Sequence, residues 1–178
     1  MKKIILGLLA TLSISLLTNA QTPQKPRESQ KAQITQTVGF TNITIDYSRP
    51  NKKGRVIFGE LVPYGKIWRT GANENTTIEF TNDVEIGGKT LPKGKYAIYS
   101  LPQADKWDVI FYTDSNNWGN PKEWDDSKIA LKVTVPVQKI AEETETFTIG
   151  INNLTTSSAH LQFIWDTTLV DVEVVCKE

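Results

Sequence analysis

An all-β fold is predicted, an antiparallel β-sandwich of jelly-roll-like form with about ten short strands. Three observations predict it. Apolar residues recur with a period of two through nearly all of the chain beyond residue 31. Turn signals built from Gly, Pro and Asn interrupt that alternation about every 8 to 12 residues. Beyond the N-terminus no window of a dozen residues carries a 3.6-residue period, and residues 60–64 offer one short turn at most.

The chain opens on Met1-Lys2-Lys3, and residues 4–17 are apolar apart from a few Ser, Thr and Gly. Ala20 then supplies a small residue before a break at Gln21, so residues 1–20 read as a secretory signal peptide. The apolar run is shorter than the roughly 20 residues of an ordinary membrane span. No cysteine stands at the break for lipid attachment, and the mature chain is expected to be periplasmic or secreted, with no stable membrane span. Residues 21–31, rich in Gln, Pro, Lys and Arg, are expected to be a flexible polar leader. Residues 32–178 are then one β-sandwich domain, long enough to bury a real core.

The whole chain balances 20 basic against 20 acidic residues. Without Lys2 and Lys3 the balance is 18 against 20, a net of −2, which lacks the basic footprint of a nucleic-acid binder. Cys176 is the only cysteine, so no disulfide forms within the chain, and the sequence assigns the thiol no role.

The first alternating run joins Ile34, Val38 and Phe40, with a turn at Thr41-Asn42 into Ile43, Ile45 and Tyr47. Pro50 ends that strand because it has no N–H for a ladder. Ile78 and Phe80 resume the pattern, and Gly87-Gly88 after Ile86 signals a two-residue hairpin. Leu91-Pro92-Lys93-Gly94 turns into a strand carrying Tyr96 and Ile98. Residues 107–112 are apolar on nearly both faces, which places that strand centrally and Trp107 in the core. Ile129, Leu131, Val133 and Val135 form a strand closed by Pro136; Phe147 and Ile149 belong to the next. Leu161, Phe163 and Trp165 mark another, and Val170, Val172 and Val174 the last. Phe147, Ile149, Leu161, Phe163, Trp165, Ile129 and Leu131 are expected in one core.

One stretch departs from plain alternation. Residues 47–77 hold Arg49, Arg55, Arg69, Asn73 and Glu74, with Gly54, Gly59, Gly65 and Gly71 between them. Guanidinium groups bind carboxylate or phosphate bidentately, and an amide such as Asn73 adds hydrogen bonds. Glycines let the backbone fold back and gather these groups on one concave surface. The same cluster would equally serve as a staple, with Glu74 neutralising an arginine. Trp118 and Trp124, in the polar loop of residues 113–128, add flat surfaces on which a sugar ring can stack.

Other chemistry finds little support. Asp114, Asn116, Gly119 and Asp125 echo a calcium loop, but Trp118 stands where an oxygen ligand is wanted, so an Asp- and Asn-rich turn is expected and no metal site. His160 is the only histidine and shares a face with Gln162, opposite Leu161, which suggests exposure. Glycosidase chemistry needs two carboxylates roughly 5 to 10 Å apart, and Glu74 has no evident second. No catalytic residue or cofactor is assigned.

The segments Tyr47-Ser48-Arg49-Pro50, Lys53-Gly54-Arg55, Phe58-Gly59, Trp68-Arg69-Thr70-Gly71-Ala72-Asn73-Glu74 and Leu91-Pro92-Lys93-Gly94-Lys95-Tyr96 resemble the bacterial domain of unknown function 2911 family. The resemblance implies an exported bacterial β-domain and supplies no activity. The expectation is a binding or structural module. The alternatives are a glycan- or small-anion-binding protein using Arg49, Arg55, Arg69, Asn73, Glu74, Trp118 and Trp124, or a hydrolase using Glu74.

Overall fold

The computed structural model describes residues 25–176, so the signal peptide expected at residues 1–20 lies outside the described residues. The strands are β1 (Gln30–Val38), β2 (Thr41–Arg49), β3 (Thr77–Phe80), β4 (Val84–Ile86), β5 (Lys89–Leu91), β6 (Gly94–Pro102), β7 (Lys106–Tyr112), β8 (Ile129–Asn152) and β9 (Ser158–Cys176). They form one antiparallel nine-stranded sheet in the order β1-β2-β3-β6-β7-β8-β9-β4-β5, with β7 central, as its two apolar faces predict. The helical content among the described residues is a single 3-10 turn, Asp126–Lys128.

Strand pairing starts at Gln30, opposite Arg49, two residues upstream of the expected domain start. Gln30 and Lys31 are polar and exposed, so no alternation marks them, yet their backbone still pairs. The first hairpin turns at Gly39-Phe40 and not at Thr41-Asn42: Val38 pairs with Thr41, and Gly39 takes φ +57°. Phe40 is consequently not an inward residue but 80% exposed. Gly87 and Gly88 both have positive φ, which matches the hairpin expected there.

β8 and β9 are far longer than the short strands predicted, at 24 and 19 residues. Pro136 does not end β8. Val137 N–H donates to Asp105 O on the β7 side, so the neighbouring Pro136 nitrogen points the other way. On that side β9 begins pairing only at Val137, opposite Val170, and a missing N–H costs nothing there. β9 reads as two strands because its buried positions slip from odd (Trp165) to even (Thr168, Val170), with Asp166 at φ +55° absorbing the slip.

β8 pairs with β7 through its first half and with β9 through its second, so the sheet folds over itself. Tyr47 on β2 reaches the far half of β8: its hydroxyl accepts from Ile149 N–H at 3.1 Å and donates to Ile149 O at 3.3 Å. The resulting core joins Ile45, Ile78, Ile98, Val109, Phe147 and Phe163. Leu131, Ile149, Leu161 and Trp165 lie in it as expected, and so does Trp107. Ile129 does not. It packs on a second, smaller cluster with Ala97, Tyr99, Ile110 and Tyr112. Phe111 faces Leu131 while Tyr112 faces Ile129, so Ala130 is bulged out and Ile129 turns to the opposite face. Cys176 is buried at the end of β9, and burial pushes its thiol up, which keeps it in the unreactive form.

Candidate functional site

The arginines of the central stretch are positioned by tight turns. Lys53 and Gly54 both have positive φ, and this turn brings Arg55 back over its own backbone. Its Nε donates to Lys52 O at 2.9 Å and its Nη2 to Asn51 O. The turn is anchored by Lys52, whose Nζ lies 2.8 Å from both Asp166 and Glu143; the hydrogen bond to Asp166, then that to Glu143, raises its pKa.

Arg69 opens a second turn, in which Thr70 and Asn73 are left-handed and Gly71 has φ +153°. A side chain at Gly71 would come within 2.8 Å of Thr76 Oγ1 and 3.1 Å of Ser48 O, so only glycine fits. The turn lets Arg69 Nη1 donate to Asn73 O at 3.2 Å, and the guanidinium lies over Gly119, where a Cβ would sit 2.7 Å from Nη1.

These placements sort the predicted site residues into three groups. Arg55 and Arg69 line one cleft of about 310 Å³, together with Lys53, Glu28 and the indoles of Trp68 and Trp165. Glu74 and Trp118 line a second cleft of about 460 Å³. Arg49, Asn73 and Trp124 are packing groups. Arg49 staples β2 to β8, donating from Nε to Phe147 O at 3.1 Å and from Nη2 to Thr148 Oγ1 at 2.7 Å. Asn73 Nδ2 makes a long contact of 3.4 Å with Ser29 O. Trp124 stacks on Tyr112 at 4.7 Å between ring centroids, crosses Tyr99 edge-on, and donates from Nε1 to Asp126. The single concave surface expected for all five central residues is therefore not formed: Arg55 and Arg69 share one cleft, Glu74 lines another, and Arg49 and Asn73 line neither.

Glu74 pairs with none of the three central arginines. Its partner is Arg27, with Nη1 at 2.7 Å from Oε1 and 2.9 Å from Oε2. Its own backbone N–H, and then Arg27, hold its carboxyl below the ordinary carboxylate range. A carboxyl held in its ionised form does not suit a general acid near neutral pH. Elsewhere in the loop, Asp114 pairs with Lys128 at 3.1 Å and Asp125 caps the 3-10 turn, the structural duties expected of an Asp-rich turn. His160 is half-buried, more enclosed than its sequence face suggests. Its Nδ1 lies 2.7 Å from Asp171 Oδ1, and Gln162 bonds the other carboxylate oxygen.

The arginine cleft has a distinct floor. Trp68 and Trp165 stack with ring centroids 6.0 Å apart and planes at 19°, and both touch Phe58 and Phe147. Their indole N–H groups are already used, on Gly71 O and Glu145 O, so Trp68, partly buried, shows the cleft aromatic surface, and the buried Trp165 backs it. A guanidinium has five N–H donors. Arg55 uses two of them on Lys52 O and Asn51 O, and Arg69 one on Asn73 O, leaving charged donors beside an aromatic floor.

Sequence reasoning missed Asn75, which organises the second cleft. It is 7% exposed, and its Oδ1 accepts from Asn117 N–H. Its Nδ2 donates to Tyr99 Oη at 2.6 Å and Gly119 O at 3.3 Å. Burial raises the Tyr99 pKa, so that phenol is neutral at ordinary pH. The only signal available was an asparagine next to Thr76 and Thr77 at the entry to a strand, which does not distinguish a turn residue from a buried brace.

No curated protein and no solved structure matches the chain. The family profile described as Protein of unknown function (DUF2911) matches residues 29–174, which takes in every strand except the last two residues of β9. With that match over most of its length, and with the two arginine turns built from the very segments that carry the resemblance, the chain belongs to this family of proteins of unknown function.

Proposed function

We propose that the protein is an exported binding module for a small organic anion, seated in the arginine cleft. The observation that carries the reading is the convergence of Arg55, Arg69 and Lys53 on a cleft floored by Trp68, with Trp165 stacked behind it. Charged donors would take a carboxylate or phosphate, and the indoles the apolar body attached to it. Glu28 also lines the cleft, 3.8 Å from Lys53 Nζ, and the pair is mostly solvated. An incoming anion would exchange that weak contact for a better one.

A thermal-shift panel of carboxylates and phosphates bearing flat apolar groups, phenylacetate and phenyl phosphate among them, tests this. At about ten times Kd a ligand stabilises the fold by about 1.4 kcal/mol. Arg55→Ala is expected to weaken binding by about 1.5–3 kcal/mol, the range for a hydrogen bond to a charged group. The reading fails if no anion moves the melting point beyond a sodium chloride control, or if Arg55→Ala binds as tightly as the parent. Export rests on the charged start, apolar run and small residue of the N-terminus. Intact-mass spectrometry of protein recovered outside the cytoplasm should give a chain starting at Gln21; one starting at Met1 would count against it.

A further inference from the structure

We infer that the second cleft is a separate site for a neutral saccharide, with Trp118 as its stacking platform. The charges lining this cleft oppose one another, Lys31 and Lys95 against Asp46 and Glu74, and counting Arg27 on Glu74 the excess is a single positive charge. Lys31 and Lys95 are exposed, so that excess is a weak draw for an anion. What the cleft offers instead is hydrogen bonding. Asp46 accepts from Gln33 Nε2 at 3.0 Å through Oδ1 alone, which leaves its second carboxylate oxygen to take a ligand hydroxyl. Ser115 and Asn116 line the same wall.

Beside these groups Trp118 stands 68% exposed, the most exposed of the large aromatics after Phe40. Phe40 sits at the tip of the β1–β2 hairpin and lines neither cleft. Trp118, in contrast, lines a polar cleft, and its backbone is held from below. Glu74 and Trp118 form an isolated backbone bridge. Asn75 N–H donates to Asn117 O at 3.1 Å, and Asn75 Oδ1 takes the Asn117 N–H in return. Asn75 Nδ2 holds Gly119 O on the far side of the tryptophan. The backbone that carries the platform is thus ordered before any ligand arrives, which lowers the entropic cost of binding.

A sugar ring matches both features at once. Its axial C–H face lies on an indole, and its hydroxyls bond carboxylate, amide and hydroxyl groups around the edge. An anion would gain nothing here over the arginine cleft, and a purely apolar ligand would strand the polar wall.

Saturation-transfer NMR on the purified protein with cellotriose, maltotriose, chitotriose and mannotriose, together with an array of neutral glycans, tests the inference. At least one neutral glycan is expected to bind. Trp118→Ala should weaken that binding by about tenfold or more, the effect of losing a stacked ring and its buried area. Because the side chain is mostly exposed, the melting temperature should hold, and Trp118→Phe should restore part of the affinity. Asp46→Asn should weaken binding by a route that leaves the platform in place. Arg55→Ala should leave glycan binding unchanged, which separates this site from the anion site. Three results would overturn the inference: no neutral glycan bound at millimolar concentration, binding indifferent to both Trp118→Ala and Asp46→Asn, or binding confined to acidic glycans and abolished by Arg55→Ala.

Discussion

Trp165→Ala is expected to lower the unfolding free energy by about 3–5 kcal/mol, the range for removing a large aromatic from a packed core. Trp165 stands on β9 with Phe58, Trp68 and Phe147 all within 6.3 Å between ring centroids. These four rings join three separate parts of the chain: the central stretch, the far half of β8 and β9. Removing the indole leaves a cavity that rings fixed on strands cannot close by small shifts. It also deprives Glu145 O of the indole N–H, 3.1 Å away. Urea melts measure the loss, and a value below about 1 kcal/mol would show that the ring is not part of the core. Phe163→Ala supplies the control. It removes a ring just as buried, on the same strand, and should cost about as much. Phe163 does not line the arginine cleft, however, whereas Trp165 backs Trp68 at its base, so anion binding should survive Phe163→Ala and weaken with Trp165→Ala.

The contrast between these two residues shows what the sequence could and could not convey. Phe163 and Trp165 are both legible as core residues because each obeys the period of two, and burial enforces that period locally. Nothing in the period says that Trp165 has an edge on a cleft, since that depends on how the sheet folds over itself. The same limit explains the misplaced strand ends. A bulge such as that at Ala130 changes the face of every residue beyond it, and no single residue type announces it. Proline misleads for a related reason: at Pro136 the lost N–H matters only if a partner strand stands on that side.

The site was legible as a set of residue types and illegible as a set of pairs. Arg55 and Arg69 are turned by glycines, as the spacing suggests, and they do share a cleft. The partner of Glu74 is 47 positions away, in a leader whose composition points to a flexible segment. Arg49 spends its charge on the carbonyl of a strand nearly a hundred positions later. Charge complementarity in sequence cannot foresee such choices, because a backbone carbonyl competes as an acceptor at every position.

Asn75→Ala should be a damaging polar substitution. Its side chain, largely buried at the edge of the second cleft, makes three hydrogen bonds: one accepted from Asn117 N–H, and two donated to Tyr99 Oη and Gly119 O. An alanine supplies none of them. Leaving a buried group without its partner costs about 1–3 kcal/mol, and here a loop N–H and a loop carbonyl lose theirs together. The expected loss in urea melts is therefore about 2–4 kcal/mol, taking two such groups in the lower half of that range, since Tyr99 Oη still reaches Gly119 O at 3.5 Å. The loss should also be local in a way that core truncation is not. The Asn117 amide should exchange with deuterium far faster, while the amides of β6 and β7 keep protection limited by global unfolding. Asn75→Asp separates the two halves of the brace, since a carboxylate can still accept from Asn117 N–H but can no longer donate to Gly119 O. It should fall between the parent and Asn75→Ala in Asn117 exchange. If the Asn117 amide stayed as protected in Asn75→Ala as in the parent, the loop would be held by its backbone bridge alone. The rigid presentation of Trp118 would then owe nothing to this side chain.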